Sequence, residues 1–137
     1  MLPRILHPEQ LQGYRLGQAD HCRLALLNNP DQGGCTMFLE VHDPCDRVPP
    51  HAHHHAAELF FVLRGTVIFH VGDRSITARG GDFVLVPEEA IHDLEKPGPQ
   101  RLYLLTVLSC DGGFAELLQH GIPTPLDQED LQVLRNL

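Results

Sequence analysis

The sequence predicts an all-β chain folded as a small double-sheet jelly-roll barrel with a short C-terminal helical tail. Many short apolar segments are punctuated by Gly, Pro and Asp, the pattern of an antiparallel sandwich or barrel and not of alternating helices and strands. A length of 137 residues with 42% hydrophobic content can bury one real core and leaves little room for a second. The expectation is one domain over residues 1–137, with the barrel core at about 22–108 and the tail at about 114–137.

Strands are expected at Cys22–Leu27, Cys35–His42, Glu58–Arg64, Val67–Val71, Arg74–Ala78, Phe83–Val86, Ile91–Leu94 and Arg101–Leu108. Asn28–Gly34 reads as a polar loop and Gly72-Asp73 as a hairpin turn, while Gly65-Thr66 and Gly80-Gly81 mark other bends. Phe114–Gln119 and Gln128–Asn136 are expected helices. Asp127 is placed as the N-cap of the second, with Leu131 and Leu134 on one face, and Pro123 and Pro125 hold the connection extended.

A formal net charge of -8 argues against a nucleic-acid or anionic-membrane partner, either of which wants a basic patch. No apolar run approaches a membrane span, and the first residues carry no secretory hydrophobic region, so a cytoplasmic location is expected. Cys22, Cys35, Cys45 and Cys110 form no C-x-x-C pair and read as free thiols, Cys35 and Cys110 as small core residues.

The chemistry concentrates in two segments, PPHAHHHAAELFFVLRG and GDFVLVPEEAIHDL. Residues two apart on a strand point the same way, so His51 and His53 can approach one ion from one face. Glu58 lies five positions after His53 and breaks that parity. If all three bind one ion, the chain must bend between His54 and Ala57, and His92 must arrive from another strand. His55 shares parity with His53 and competes for a place in the set if the chain stays extended; His54 points away from both. Three imidazoles and a carboxylate suit Fe, Mn, Co, Ni, Cu or Zn, while Ca and Mg want more oxygens. A lone histidine is ordinarily a polar or satisfied core residue, and His7, His21, His42, His70 and His120 read that way.

These two segments resemble the two motifs of the cupin superfamily, whose fold is the double-stranded β-helix. The first motif runs His-x-His, three or four residues, Glu, six residues, Gly, and His51, His53, Glu58 and Gly65 fall at those intervals. The second is matched by Gly81, Pro87 and His92, across a gap of fifteen residues (66–80) typical of compact single-domain members. The leading glycine of the first motif is absent, with Asp46 or nearby residues in that region. Pro-x-Gly becomes Pro87-Glu88-Glu89, so the turn at Glu89 loses a flexible residue, and Lys96 stands where an Asn is usual. The tail from Phe114 is similar to the helical extension of some quercetinase-like members.

The resemblance implies a metal-dependent protein from a superfamily that includes dioxygenases, isomerases, lyases and non-enzymatic binding or sensing proteins. The leading expectation is a dioxygenase-like enzyme acting on a small oxygenated molecule, with His51, His53, Glu58 and His92 as metal ligands and Glu58 doubling as a base. The alternatives are an isomerase or lyase with a redox-inert metal, or a small-ligand binding or sensor module. A sulfoniopropionate-cleaving lyase should carry a tyrosine three residues after the glutamate, where Phe61 stands. Met37, Leu39, Phe60, Val62, Phe69, Phe83 and Tyr103 are the expected pocket walls, with Arg47 and Tyr103 as substrate anchors or proton donors. Edge strands need protection, so a homodimer is expected, with the N-terminal segment through Leu27 pairing across its interface.

Overall fold

The structure, a computed structural model, describes residues 2–137. Its strands are β1 (Gly13–Arg15), β2 (Cys22–Asn28), β3 (Thr36–His42), β4 (Arg47–His51), β5 (Glu58–Arg64), β6 (Thr66–Val71), β7 (Arg74–Arg79), β8 (Phe83–Val86), β9 (His92–Glu95), β10 (Leu102–Leu108) and β11 (Ile122–Pro123). The tail carries helices α1 (Phe114–Gln119) and α2 (Gln128–Arg135). All strand pairings are antiparallel. They build one sheet in the order β11-β1-β2-β3-β10-β5-β8 and a second in the order β4-β9-β6-β7. The sheets remain separate and pack across a shared core, the jelly-roll arrangement of the double-stranded β-helix.

Alternation along the strands fixes what faces inward. Phe60 and Val62 of β5, Leu102 and Leu104 of β10, and Val84 and Val86 of β8 meet Val67, Phe69, Ala78 and Leu94 of the second sheet in the main core. Leu118 of α1 packs with Leu24, Phe38 and Leu108. The segment after α1 and helix α2 cover the opposite face of the larger sheet, where Leu126, Leu131 and Leu134 pack with Val41 and Tyr103. Asp127 caps α2 as expected, in a reciprocal box with Asp130.

Three strands were not foreseen, for identifiable reasons. β4 contains Pro49 and Pro50, which cannot donate to a ladder and read as loop; the structure tolerates them because β4 is an edge strand paired only with β9. β1 and β11 are too short to show a period. β1 also depends on Gly13, where a Cβ would come within 2.3 Å of the Thr124 carbonyl oxygen. The N-terminal segment pairs within the chain, β1 lying between β2 and β11, so that β2 is not a free edge. β9 starts one residue later than expected and leaves Ile91 exposed, and Cys110 is exposed, not a core residue. Among the described residues no helix is long and apolar enough to cross a membrane.

Candidate metal centre

His51 ends β4 and pairs in register with His92, the first residue of β9, so two imidazoles meet across one ladder. Their ring centroids are 4.3 Å apart. Glu58 opens β5 on the facing sheet. The chain between His53 and Glu58 bends as the broken parity demands: His54 and His55 form a turn, with His55 in the left-handed region at φ 59°. Extended continuation is thereby lost, and His55 stands outside the group on the exposed side of the turn, as does His54. Ala57 ties the far side of the loop to β10, its amide donating to Ser109 Oγ and its carbonyl accepting from the Ser109 amide.

One ligating atom from each of His51, His53, Glu58 and His92 lies within 4.8 Å of the others. The set fits a divalent metal ion on evidence from its own hydrogen bonds. His51 Nδ1 and His92 Nδ1 each stand 2.9 Å from a backbone carbonyl, of Pro49 and Ala90 respectively. A carbonyl can only accept, so both rings carry their proton on Nδ1 and turn an Nε2 lone pair toward the cluster when neutral. His92 Nε2 is buried with no hydrogen-bond partner, its nearest carboxylate oxygen, Glu58 Oε1, being 3.7 Å away. A bound cation would satisfy a buried ring nitrogen that faces a carboxylate beyond hydrogen-bond reach. Nitrogen and carboxylate donors together select a borderline transition metal.

The electrostatics agree. Burial of His51 holds its pKa below the ordinary value and keeps it neutral, although its hydrogen bond to Pro49 works the other way. Burial would also lower His92, but the facing Glu58 carboxylate outweighs it and the net shift is upward. For Glu58 burial favours the neutral acid; the hydrogen bond with His53, at 2.6 Å, together with His92 reverses this and lowers the pKa. Glu58 is therefore a carboxylate aimed at the point where three imidazoles meet.

The cluster lies at one wall of a cavity of about 310 Å³. His51, His53 and Glu58 line it beside apolar residues including Leu24, Phe38, Val48, Phe60, Leu94 and Phe114. Of the eight residues expected at the pocket, seven walls and the anchor Arg47, Phe60 and Arg47 line this cavity. The other six do not. Val62 and Phe69 face inward but are fully buried in the main core, and Phe83 is exposed on the outer face, stacked on Phe61. Met37, Leu39 and Tyr103 occupy the outward parity of β3 and β10. Tyr103 cannot serve as an anchor in the cavity, since its hydroxyl donates to Asp130 at 2.9 Å beneath α2. The reason is an inverted pattern on β3. Its inward residues are Phe38, Glu40 and His42, two of them polar, so the apolar alternation Met37-Leu39-Val41 marks the outer face instead.

Cys22, Glu40 and Asp46 also line the cavity. The sequence reads Cys22 as a free thiol and His42 as an ordinary histidine. The available signal was the parity of Glu40 and His42, two apart on one strand.

The sequence profile described as "Cupin domain" matches residues 38–108. No curated protein matches this chain in sequence. A predicted oxalate decarboxylase from Thermotoga maritima is similar in structure at a TM-score of 0.70 and 18% identity, over 77% of this chain and 98% of that one. An uncharacterised conserved protein with a double-stranded β-helix domain from Klebsiella pneumoniae aligns at 0.65 and 16% identity, over 79% and 90%. A cupin superfamily protein from Desulfitobacterium hafniense aligns at 0.59 and 19% identity, over 69% and 83%. These likenesses concern the fold. With the profile match and the shared architecture, the chain belongs to the cupin superfamily.

Proposed function

We propose that this chain is a metal-dependent enzyme acting on a small oxygenated molecule, dioxygenase-like in its chemistry, with His51, His53, Glu58 and His92 holding one divalent Fe, Mn, Ni, Cu, Co or Zn ion. The observation that carries the proposal is the convergence of these four side chains, with His92 Nε2 buried and unpaired, on the wall of a largely apolar cavity. Such an ion, when bound, supplies Lewis acidity toward an oxygen-bearing substrate and open coordination positions beyond its four protein ligands. Phe38, Phe60, Leu94 and Phe114 exclude water from the substrate's apolar body. Glu58 Oε2, at the cavity wall, can accept a proton from a bound substrate. Arg47 is at the cavity wall, exposed and paired with Glu95 at 3.0 Å, and is placed to meet an anionic substituent.

The test is dioxygen uptake with a panel of flavonols and diketones after reconstitution with each candidate metal. The proposal expects uptake by the wild type and its loss in Glu58→Gln. Turnover without uptake moves the reaction to the isomerase or lyase class, and ligand binding without turnover makes the chain a binding or sensor module.

The same reading includes a homodimer. β8 is an edge strand, and its Phe83 and Leu85 are exposed on the outer face. Sedimentation should give a dimer for the wild type and a monomer for Phe83→Asp/Leu85→Lys; a monomeric wild type would contradict it.

A further inference from the structure

A second group of donors, two of which line the same cavity, shares no residue with the first. Cys22 opens β2 and pairs in register with His42 at the end of β3, and Glu40 stands two residues before His42 on the same face. His42 Nε2 is 3.5 Å from Cys22 Sγ and 3.4 Å from Glu40 Oε1. One ligating atom from each of the three lies within 4.8 Å of the others. We infer that Cys22, Glu40 and His42 form a second metal site, built for a tetrahedral zinc-like ion with its fourth position open to the cavity.

The two separations from His42 Nε2 are those the ion requires. With zinc–sulfur at about 2.3 Å and zinc–nitrogen or –oxygen at about 2.0–2.1 Å, a tetrahedron sets sulfur and nitrogen about 3.6 Å apart and nitrogen and oxygen about 3.3 Å apart. The surrounding side chains hold the donors in place. Asp46 Oδ2 lies 2.8 Å from His42 Nδ1, which fixes the ring and directs Nε2 at the thiol and the carboxylate. The other Glu40 oxygen accepts a hydrogen bond from the buried Thr106 hydroxyl, which orients the carboxylate. Glu40 and Asp46 are both buried, and among the described residues no Arg or Lys side chain pairs with either. Buried carboxylates are ordinarily matched by charge, and with His42 neutral, as a metal ligand must be, an ion would supply the positive charge that no side chain gives them. The donor set of thiolate, imidazole and carboxylate selects zinc or cobalt over the hard cations. Cys22, Glu40 and Asp46 reach the cavity, which supplies a path for the ion and room for a fourth ligand.

The competing arrangement is a hydrogen-bonded Cys22–His42–Asp46 relay with no ion, and the thiolate separates the two. The full-length chain is prepared with Cys35, Cys45 and Cys110 replaced by Ser, so that Cys22 is the sole thiol, and with the first site removed by His53→Ala/His92→Ala. Loaded with cobalt(II) and desalted, it should hold one equivalent per chain and show a sulfur-to-cobalt charge-transfer band in the near ultraviolet. Asp46→Asn should weaken cobalt about 10–100-fold without removing the band, and Cys22→Ser should abolish the band. If the double histidine variant does not fold, the same cobalt titration of the chain with its first site intact should give two equivalents and the band. Because the first site contains no sulfur, the band reports on the second site whether or not the first binds metal. Absence of the band, at any metal content, would overturn the inference and leave the relay.

Discussion

Glu89 Oε2 lies 2.8 Å from His54 Nδ1, and Glu89 Oε1 accepts from the His55 amide, so the turn before His92 is fastened to the turn after His53. The Glu89 amide also donates to the His53 carbonyl at 3.0 Å. Glu89 occupies the position where the family motif carries glycine and still takes a left-handed backbone, φ 67°. The side chain thus adds contacts that a glycine lacks, against a conformational cost of about 1–2 kcal/mol. Two histidines of the candidate metal centre, His53 and His92, flank this junction in sequence.

The Glu89 balance can be separated by two substitutions. Glu89→Ala loses the carboxylate contacts and keeps the strained backbone; Glu89→Gly loses the same contacts and relieves it. Urea denaturation should find the glycine variant more stable than the alanine variant by about 1 kcal/mol. Equal stabilities would show that the backbone is not strained there.

Asp130 is the other polar junction. Fully buried in α2, it accepts from the Tyr103 hydroxyl at 2.9 Å and pairs with Arg23 and Arg101, each at 3.0 Å. Asp130→Ala leaves the Tyr103 hydroxyl unmatched beneath the helix and leaves the buried Arg23 only its longer pairs to Asp43 and Asp127, at 3.4 and 3.5 Å, and should cost about 3–5 kcal/mol in chemical denaturation. A loss below about 1 kcal/mol would mean that α2 docks through its leucines alone.

Asp127 gives this junction a pH dependence. Its hydrogen bond to Arg101, at 2.8 Å, holds the carboxyl well below its ordinary range, overcoming a smaller effect of burial. A carboxyl depressed in the folded state binds fewer protons there than in the unfolded chain. Its stabilisation is therefore complete above the unfolded value of about 3.9 and is lost as pH falls toward the folded value. The group is half exposed, so the contribution is on the order of 1 kcal/mol or less. Between pH 6 and pH 3 the wild type should lose more stability than Asp127→Asn. Parallel pH profiles would remove Asp127 from the acid response.

The barrel was legible because β5, β6, β8 and β10 are short apolar runs set off by Gly, Pro and Asp. The donor cluster was legible because His51, His53, Glu58 and His92 follow one another at intervals tied to strand geometry. Pocket walls were not, because on β3 the cavity face carries Glu40 and His42 and the outer face carries the apolar residues, the reverse of the rule that guided the expectation. β4 was hidden by Pro49 and Pro50, which only an edge strand accommodates. The pairing of Cys22 with His42 depends on the β2–β3 register, which no local pattern encodes.

Glu58→Gln keeps the shape of the side chain and removes its charge. It should lower metal content while the β-sheet circular dichroism stays that of the wild type; loss of the β signal would make Glu58 structural first.

Metal content of the purified protein, measured by elemental analysis for wild type, His53→Ala, His92→Ala and His54→Ala with Cys22 replaced by Ser throughout, tests the central claim most directly. The Cys22 replacement removes the second group of donors from the count. The otherwise wild-type protein and His54→Ala should each hold about one equivalent of a transition metal per chain, and His53→Ala and His92→Ala should lose at least tenfold. Equal retention in all four proteins would contradict the claim.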